Sequence, residues 1–232
     1  MEAIASSAPQ ASYDVIVIGG GPGGSTAASI LAEGGRSVLV LEAAKFPRFA
    51  VGEIVAPTGL WRVWHRLGIT QETLDDLFVR KWAGGWQAPD GTIFTFDQDV
   101  HPDDKRCRAF VYTFERAVYD DFLLRHASTT GAEVREEALV EDILQEQDGR
   151  VTGVRFRDAG GVHEVRSDLV IDASGRQNIL GRRLKLRMDL VELKSFSVFA
   201  HYVDAVRNTG QTEGDVRIVF GENMWFWWAP LK

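Results

Sequence analysis

DVIVIGGGPGGSTAASILAEGGRSVLVLE, Asp14 to Glu42, decides the fold. The apolar run Val15 to Ile18 stops at Gly19, a glycine turn leads into small residues at helical spacing, and a second apolar run ends on Glu42. Short apolar runs bounded by turn residues read as buried strands, so the spacing predicts strand, turn, helix, strand. Each glycine meets a separate demand: Gly19 makes the tight turn, Gly21 lets the backbone approach a pyrophosphate, and Gly24 lets the helix pack on the strand. The helix N-terminus then faces the phosphates. Glu42, eighteen residues after Gly24, can accept hydrogen bonds from ribose hydroxyls. A plain glycine turn would require none of this flanking pattern. The whole unit predicts a dinucleotide site, and its terminal acid disfavours the 2′-phosphate of NADP.

Residues 1–12, ahead of this unit, have no cationic start and no apolar run, and are expected to form a disordered leader. The 232 residues are 45% apolar and 25% charged, which suits one large globular domain or two small ones. A net charge of −7 offers no general field for nucleic acid or an anionic membrane. No stretch approaches membrane-spanning length. Cys107 is the only cysteine, so an intrachain disulfide and a cysteine metal cluster are both excluded, and a reducing cytoplasm is the expected setting.

Downstream, TFERAVYDDFLLRHASTTGAEV places Val118, Phe122, Leu123 and Ala127 at helical spacing with Gly131 as a stop, predicting an amphipathic helix and then a strand. The next forty residues alternate apolar and polar positions around the turns Asp148-Gly149 and Gly160-Gly161. They predict a three-stranded meander ahead of a buried run, Leu169 to Ala173. Trp61 and Trp64 read as helix-face packing residues, and His65 beside them is assigned no chemistry.

Several further segments carry a resemblance. GGGPGG, Glu42, Arg116-x-x-x-Asp120 and DLVIDASGR (Asp168 to Arg176) are similar to the pieces of the flavin-dependent monooxygenase superfamily. FPRFAVGE (Phe46 to Glu53), FVRKWAGGW (Phe78 to Trp86) and WFWWAP (Trp225 to Pro230) resemble the narrower motifs of the flavin-dependent halogenases. The resemblance runs from about Tyr13 to the last residue. It implies an α/β fold: a Rossmann-like FAD-binding domain of the aromatic-hydroxylase type with a β-meander crossover, plus part of a β-sheet substrate domain. The FAD-binding domain is expected at 13–75 and 108–190, and the partial substrate domain at 76–107 and 191–232.

The same resemblance implies FAD contacts at Gly19, Gly21, Gly24, Glu42, Arg48, Glu53, Arg116, Asp172 and Gly175, and chemistry at Lys81, Trp225 and Trp227. In the family scheme, FAD reduced by a separate flavin reductase reacts with O2 to give a flavin hydroperoxide. A halide ion attacks its distal oxygen, and hypohalous acid moves to the lysine, which presents electrophilic halogen to a small-molecule or carrier-protein-bound substrate. The paired indoles would keep organic substrate away from the hydroperoxide. Bland readings stand beside these. Glu53 could be a loop acid with Arg48 as its surface partner, Arg116 could pair with Asp120 on an exposed helix face, and Lys81 could be a solvated strand charge. As a strand, WFWWAP has apolar residues on both faces and is expected to be buried on both sides. Arg182, Arg183, Lys185 and Arg187 form either a solvated face or a dock for an acidic carrier.

The chain also departs from the family. Ile54 and Val55 follow Gly52-Glu53 where a small or hydroxyl residue is usual, Ala229 replaces an isoleucine, and Gly214-Asp215-Val216 does not match the third FAD motif, G-D-A-x-x-x-x-x-P. These residues are therefore expected to be the N-terminal part of a longer enzyme, with exposed apolar surface where the remainder packs. The alternatives are a FAD-dependent monooxygenase or geranylgeranyl-reductase-type oxidoreductase, and a non-catalytic flavin-binding fragment.

Overall fold

A computed structural model describes residues 8–53, 57–97, 110–188 and 196–232. These fall into two compact units, one from the described residues of Met1–Phe49 and Tyr119–Ser195, the other from those of Ala50–Val118 and Phe196–Lys232. The first unit begins with β1 (Ser12–Ile18), α1 (Pro22–Glu33) and β2 (Val38–Leu41). The second holds α2 (Pro57–Arg66), α3 (Gln71–Leu77), β3 (Val79–Lys81), β4 (Ala83–Gln87), β5 (Ile93–Asp97) and β6 (Val111–Thr113). Helix α4 (Arg116–Thr129) carries the chain back to the first unit, which adds β7 (Glu133–Arg135), β8 (Leu139–Gln145), β9 (Val151–Asp158), β10 (Gly161–Asp172) and α5 (Ile179–Arg183). Strands β11 (Val216–Phe220) and β12 (Trp225–Trp228) complete the second unit.

The first unit is built on one six-stranded sheet, ordered β7-β2-β1-β10-β9-β8. Strands β7, β2 and β1 run parallel, and β1 pairs in parallel with the second half of β10. Alternate residues of β1 and β2 enter opposite cores: Val15, Val17, Val38 and Val40 pack with Ala28 of α1 and Leu124 and Ala127 of α4, while Ile16, Ile18, Leu39 and Leu41 pack with Val140, Val154 and Phe156. Burial on both faces is why these strands read as unbroken apolar runs. The predicted meander is present, but its third strand and the run after it are one strand. Strand β10 pairs antiparallel with β9 from Gly161 to Arg166, then continues beside β1 to Asp172. That run is not the buried strand expected, since Leu169 is exposed and Val170 to Ala173 are half-buried.

Helix α4 also differs from its sequence reading. Its buried face is Tyr119, Asp120, Leu123, Leu124 and Ala127, while Val118 is exposed and Phe122 half-buried. A charged residue sits on the inward stripe, so counting apolar positions rotates the face.

In the second unit β3 and β6 form an antiparallel pair, and β12-β11-β4-β5 form a mixed four-stranded sheet. Trp61 and Trp64 are buried as expected, and their rings lie edge-on 5.1 Å apart. Trp61 also meets Phe110 edge-on at 5.5 Å, and Trp64 meets Tyr112 at 5.7 Å. These ring contacts tie α2 to β6, so residues 57–75 and 110–118 cluster with β3 and β4 rather than with the first unit. Of the expected leader, Ser12 already belongs to β1, and residues 1–7 lie outside the described residues, as do Cys107, Ile54 and Val55. No described helix is long and apolar enough to cross a membrane.

Candidate functional site

In the first unit the glycine turn joins β1 to α1. Gly19 has φ +101°, and a Cβ there would lie 2.5 Å from the Ala173 carbonyl oxygen. At Gly24 it would lie 1.9 Å from the Gly19 oxygen. Both positions exclude any other residue by contact with the protein's own backbone. Gly21 is different, because a Cβ there would meet only Arg48 Nη2 at 3.5 Å, and at Gly23 it would meet nothing within 4 Å. The turn is therefore packed tightly from below and open above. Gly21 caps α1 without a side-chain hydrogen bond, which leaves first-turn N–H donors to a ligand. A tight floor, open glycines and an uncapped helix start fit a pyrophosphate.

Carboxylates shape this cradle. Gly20 N–H donates to Glu42 Oε2 at 2.7 Å, and Ala44 N–H donates to Oε1 at 2.8 Å. Glu42 is buried, so the acid read as a ribose ligand also ties the glycine turn to the end of β2. Arg48 Nη1 lies 3.2 Å from Asp120 Oδ2, and its Nε lies 3.9 Å from Glu42 Oε1. Its guanidinium also sits 4.6 Å above the Phe46 ring. The acids that engage Arg48 are thus Glu42 and the fully buried Asp120. Asp172, at the end of β10, accepts from Ser174 N–H at 3.0 Å and Leu180 N–H at 2.8 Å, which fixes the turn where Gly175 has φ +60°.

Two expected cofactor residues lie in the second unit. Arg116 donates from Nη1 to the Val51 carbonyl at 2.8 Å, while Glu53 accepts from Gly52 N–H at 3.0 Å and its carbonyl accepts from Phe114 N–H at 3.1 Å. Arg116, at the start of α4, is therefore bonded to the loop that carries Glu53.

Lys81 ends β3 opposite Val111 and is 4% exposed. A solvated strand charge it is not. Burial pushes its ammonium pKa below the ordinary lysine value, and the Asp215 carboxylate opposes that shift. Asp215 Oδ1 accepts from the N–H groups of Trp82 at 2.9 Å and Ala83 at 2.7 Å. A Cβ on Gly214 would lie 2.0 Å from the Arg80 carbonyl oxygen. On the alternate side of β3, Arg80 pairs with Asp75, which also accepts from Tyr112 Oη at 2.7 Å. A cleft of about 560 Å³ opens on the Arg80 and Trp82 side, with Asp75, Arg207 and Lys232 among its walls. Lys81 is not one of its lining residues.

The expectation that WFWWAP is buried on both sides is not met. Strand β12 is a sheet edge, with Trp225, Phe226 and Trp227 each at least half exposed. In register, Trp227 faces Ile218, Ile218 faces Trp86, and Trp86 faces Phe94, while Trp225 faces Phe220. Trp225 and Trp227 are 5.9 Å apart, and Trp86 meets Phe220 edge-on at 6.4 Å. One sheet face is thus an exposed aromatic wall. Beyond it, the Pro230 carbonyl accepts from Thr113 Oγ1 at 2.6 Å, which anchors the segment to β6, the partner of Lys81's strand. Sequence reasoning named Asp120 only as a motif position and possible partner of Arg116, and missed Gly214, Asp215 and Thr113 as site-shaping residues. For Gly214-Asp215, the available signal was a turn pair heading the run Val216–Phe220.

A family model of FAD dependent oxidoreductases matches residues 14–181. A 1H-pyrrole-2-carbonyl-[peptidyl-carrier protein] chlorinase of Pseudomonas fluorescens is 29% identical over 94% of this chain and 53% of its own length. Digeranylgeranylglycerophospholipid reductase 1 of Methanopyrus kandleri is 33% identical over 73% of this chain and 41% of its own. The solved structure of the myxobacterial chondrochloren halogenase CndH, 32% identical, superposes with a TM-score of 0.77 over 96% of this chain and 51% of that one. The chain spans about half the length of the curated relatives it matches.

Proposed function

Because the chain belongs to the FAD-dependent oxidoreductase family, we propose that the whole protein is a halogenase that installs chloride or bromide on an organic substrate, aromatic or carrier-bound. The carrying observation is Lys81, a buried strand lysine whose amine is biased toward its neutral, nucleophilic form. The chlorinase and halogenase relatives support this reading, since their similarity extends over 94–96% of the chain. Carrier-bound pyrrole is named for the chlorinase, which is why a carrier-tethered substrate is included.

In the first unit Gly19, Gly21 and Gly24 would hold the FAD pyrophosphate with Arg48 beside it, Glu42 and Asp172 would fix the two turns that line it, and Gly175 would complete the contacts of that unit; the resemblance alone implies Glu53 and Arg116 as further FAD contacts. When bound and reduced by a separate flavin reductase, FAD supplies the oxygen activation that converts halide to hypohalous acid. Lys81 does the remaining chemistry. Its neutral amine hydrogen-bonds the hypohalous acid, or takes its halogen with release of water, and then delivers the halogen to a substrate carbon that gives up a proton. Trp225 and Trp227 would exclude organic substrate from the oxidant, leaving halide as its reaction partner.

Reductase-coupled turnover with halide tests the reading. The expected result is halogenated product from the wild type, and its loss in Lys81→Met with oxygen uptake intact. Halogenation that persists in that variant would remove Lys81 from the mechanism. Trp227→Ala should yield some hydroxylated product or lose halogenation, and a variant unchanged in both sinks the shielding role. The similarity to the digeranylgeranylglycerophospholipid reductase of Methanopyrus kandleri supports one second reading, a geranylgeranyl-reductase-type oxidoreductase. Product saturation without halide incorporation would select it, and bound FAD without turnover would select a non-catalytic flavoprotein.

A further inference from the structure

We infer that Gly214 and Asp215 form a clamp that positions Lys81, gripping the backbone on both sides of it and bringing the Asp215 carboxylate onto the same span. The inference rests on the reading of Lys81 as the halogen-transferring group, and Asp215 acts through Lys81 rather than on substrate.

Three observations converge. On the N-terminal side of Lys81, the Arg80 carbonyl is approached so closely by Gly214 that a Cβ would lie 2.0 Å from the oxygen and 2.7 Å from the carbon, so only glycine brings the chain in. On the C-terminal side, one oxygen of Asp215 accepts the two consecutive N–H groups of Trp82 and Ala83. Asp215 is itself held by its N–H to the Thr212 carbonyl at 3.0 Å, and the next residue, Val216, opens the β11 ladder opposite Gly84 of β4. Lys81 therefore sits on a three-residue span whose peptide groups are pinned before and after it. A lysine has four rotatable side-chain bonds, and fixing its backbone removes the freedom that a loop position would leave.

The charge has a second consequence. Burial favours the neutral amine, while the Asp215 carboxylate favours the ammonium. Of the charged groups on the neighbouring elements, Arg80 of β3 pairs with Asp75 of α3 and Glu213 ahead of β11 with Arg207, while Arg217 lies on β11 in register with Gly85 of β4. β6 contributes none, with Val111, Tyr112 and Thr113. Asp215 thus offsets part of the effect of burial, which still lowers the pKa, and keeps an amine that can hold a proton after the halogen leaves.

Direct titration of the Lys81 13Cε resonance in the whole protein, combined with amide hydrogen exchange at Trp82 and Ala83, tests the clamp. Asp215→Asn retains an oxygen acceptor for both amides and loses the charge. Its expected result is unchanged protection of the two amides, with a Lys81 midpoint moved to lower pH and the neutral fraction at a fixed pH below it raised about threefold or more. A role confined to holding backbone would leave the midpoint where it was, and that outcome overturns the charge assignment. In the wild type both amides should exchange slowly. Exchange at the rate of unstructured amides overturns the clamp whatever the variant does, including a variant that fails to fold. Halogenation surviving Lys81→Met would instead remove the reading on which the inference rests, without altering the titration result.

Discussion

At the residue scale, Lys81 is placed where its charge is disfavoured. Its folded-state pKa is lowered from 10.5 by burial, so below that value the unfolded chain binds its proton more readily, and the folded state carries a cost that fades only as pH rises toward 10.5. Lys81→Met should therefore raise Tm at neutral pH by roughly 2 °C or more while abolishing halogenation, and differential scanning calorimetry reads the first effect. A lower Tm would mean that Lys81 and Asp215 contribute net stability. The sequence singled out Lys81 through the motif around it, and its burial was not readable from a strand pattern. Its counter-charge was not, because Asp215 comes to it from 134 positions along the chain, and a strand pattern does not say which distant strand will pair. Asp120 was legible as a motif position, but its pairing with Arg48, 72 positions away, was not.

At the element scale, the β1–turn–α1 unit was readable almost completely, because each of its backbone contacts permits one residue type. Gly24 of α1 rests on the Gly19 carbonyl with no room for a methyl group. Gly24→Ala should cost about 1–3 kcal/mol by denaturant unfolding and weaken FAD binding at least tenfold in a flavin fluorescence titration. A variant with wild-type stability and wild-type affinity would show that α1 is free to move away from β1. Helix α4 and strand β12 were read less well, for opposite reasons. In α4 a buried, paired carboxylate breaks the apolar stripe, and in β12 aromatic residues on both faces signal burial although the strand is a sheet edge. Edge position depends on strand order, which local sequence does not encode.

At the scale of the whole molecule, one phenol is a marker of pH tolerance. Tyr13 donates to Glu133 at 2.6 Å, and burial followed by that hydrogen bond pushes its pKa from 10.0 to about 12. A folded-state pKa above the unfolded value gives stability that is fully present below pH 10 and is lost as pH rises through about 12. Thermal melts across that interval should decline, and Tyr13→Phe should start lower and decline less. Parallel slopes would show that Tyr13 does not ionise on unfolding. The βαβ core and the meander were legible because both are local in sequence. The union of the two in β10 was not, since Ser12 of β1 waits for Arg166 as its partner. That pairing has a consequence for synthesis. A ribosome adding about 5–20 residues per second needs roughly 10–30 s to make the 154 positions between them. During that interval β1 and β2 have emerged with both edges of their pair open until β7 is made, and the whole segment 50–118 is made in between. The nascent chain therefore presents open apolar strand edges for many seconds, a window in which edge-to-edge association competes with folding.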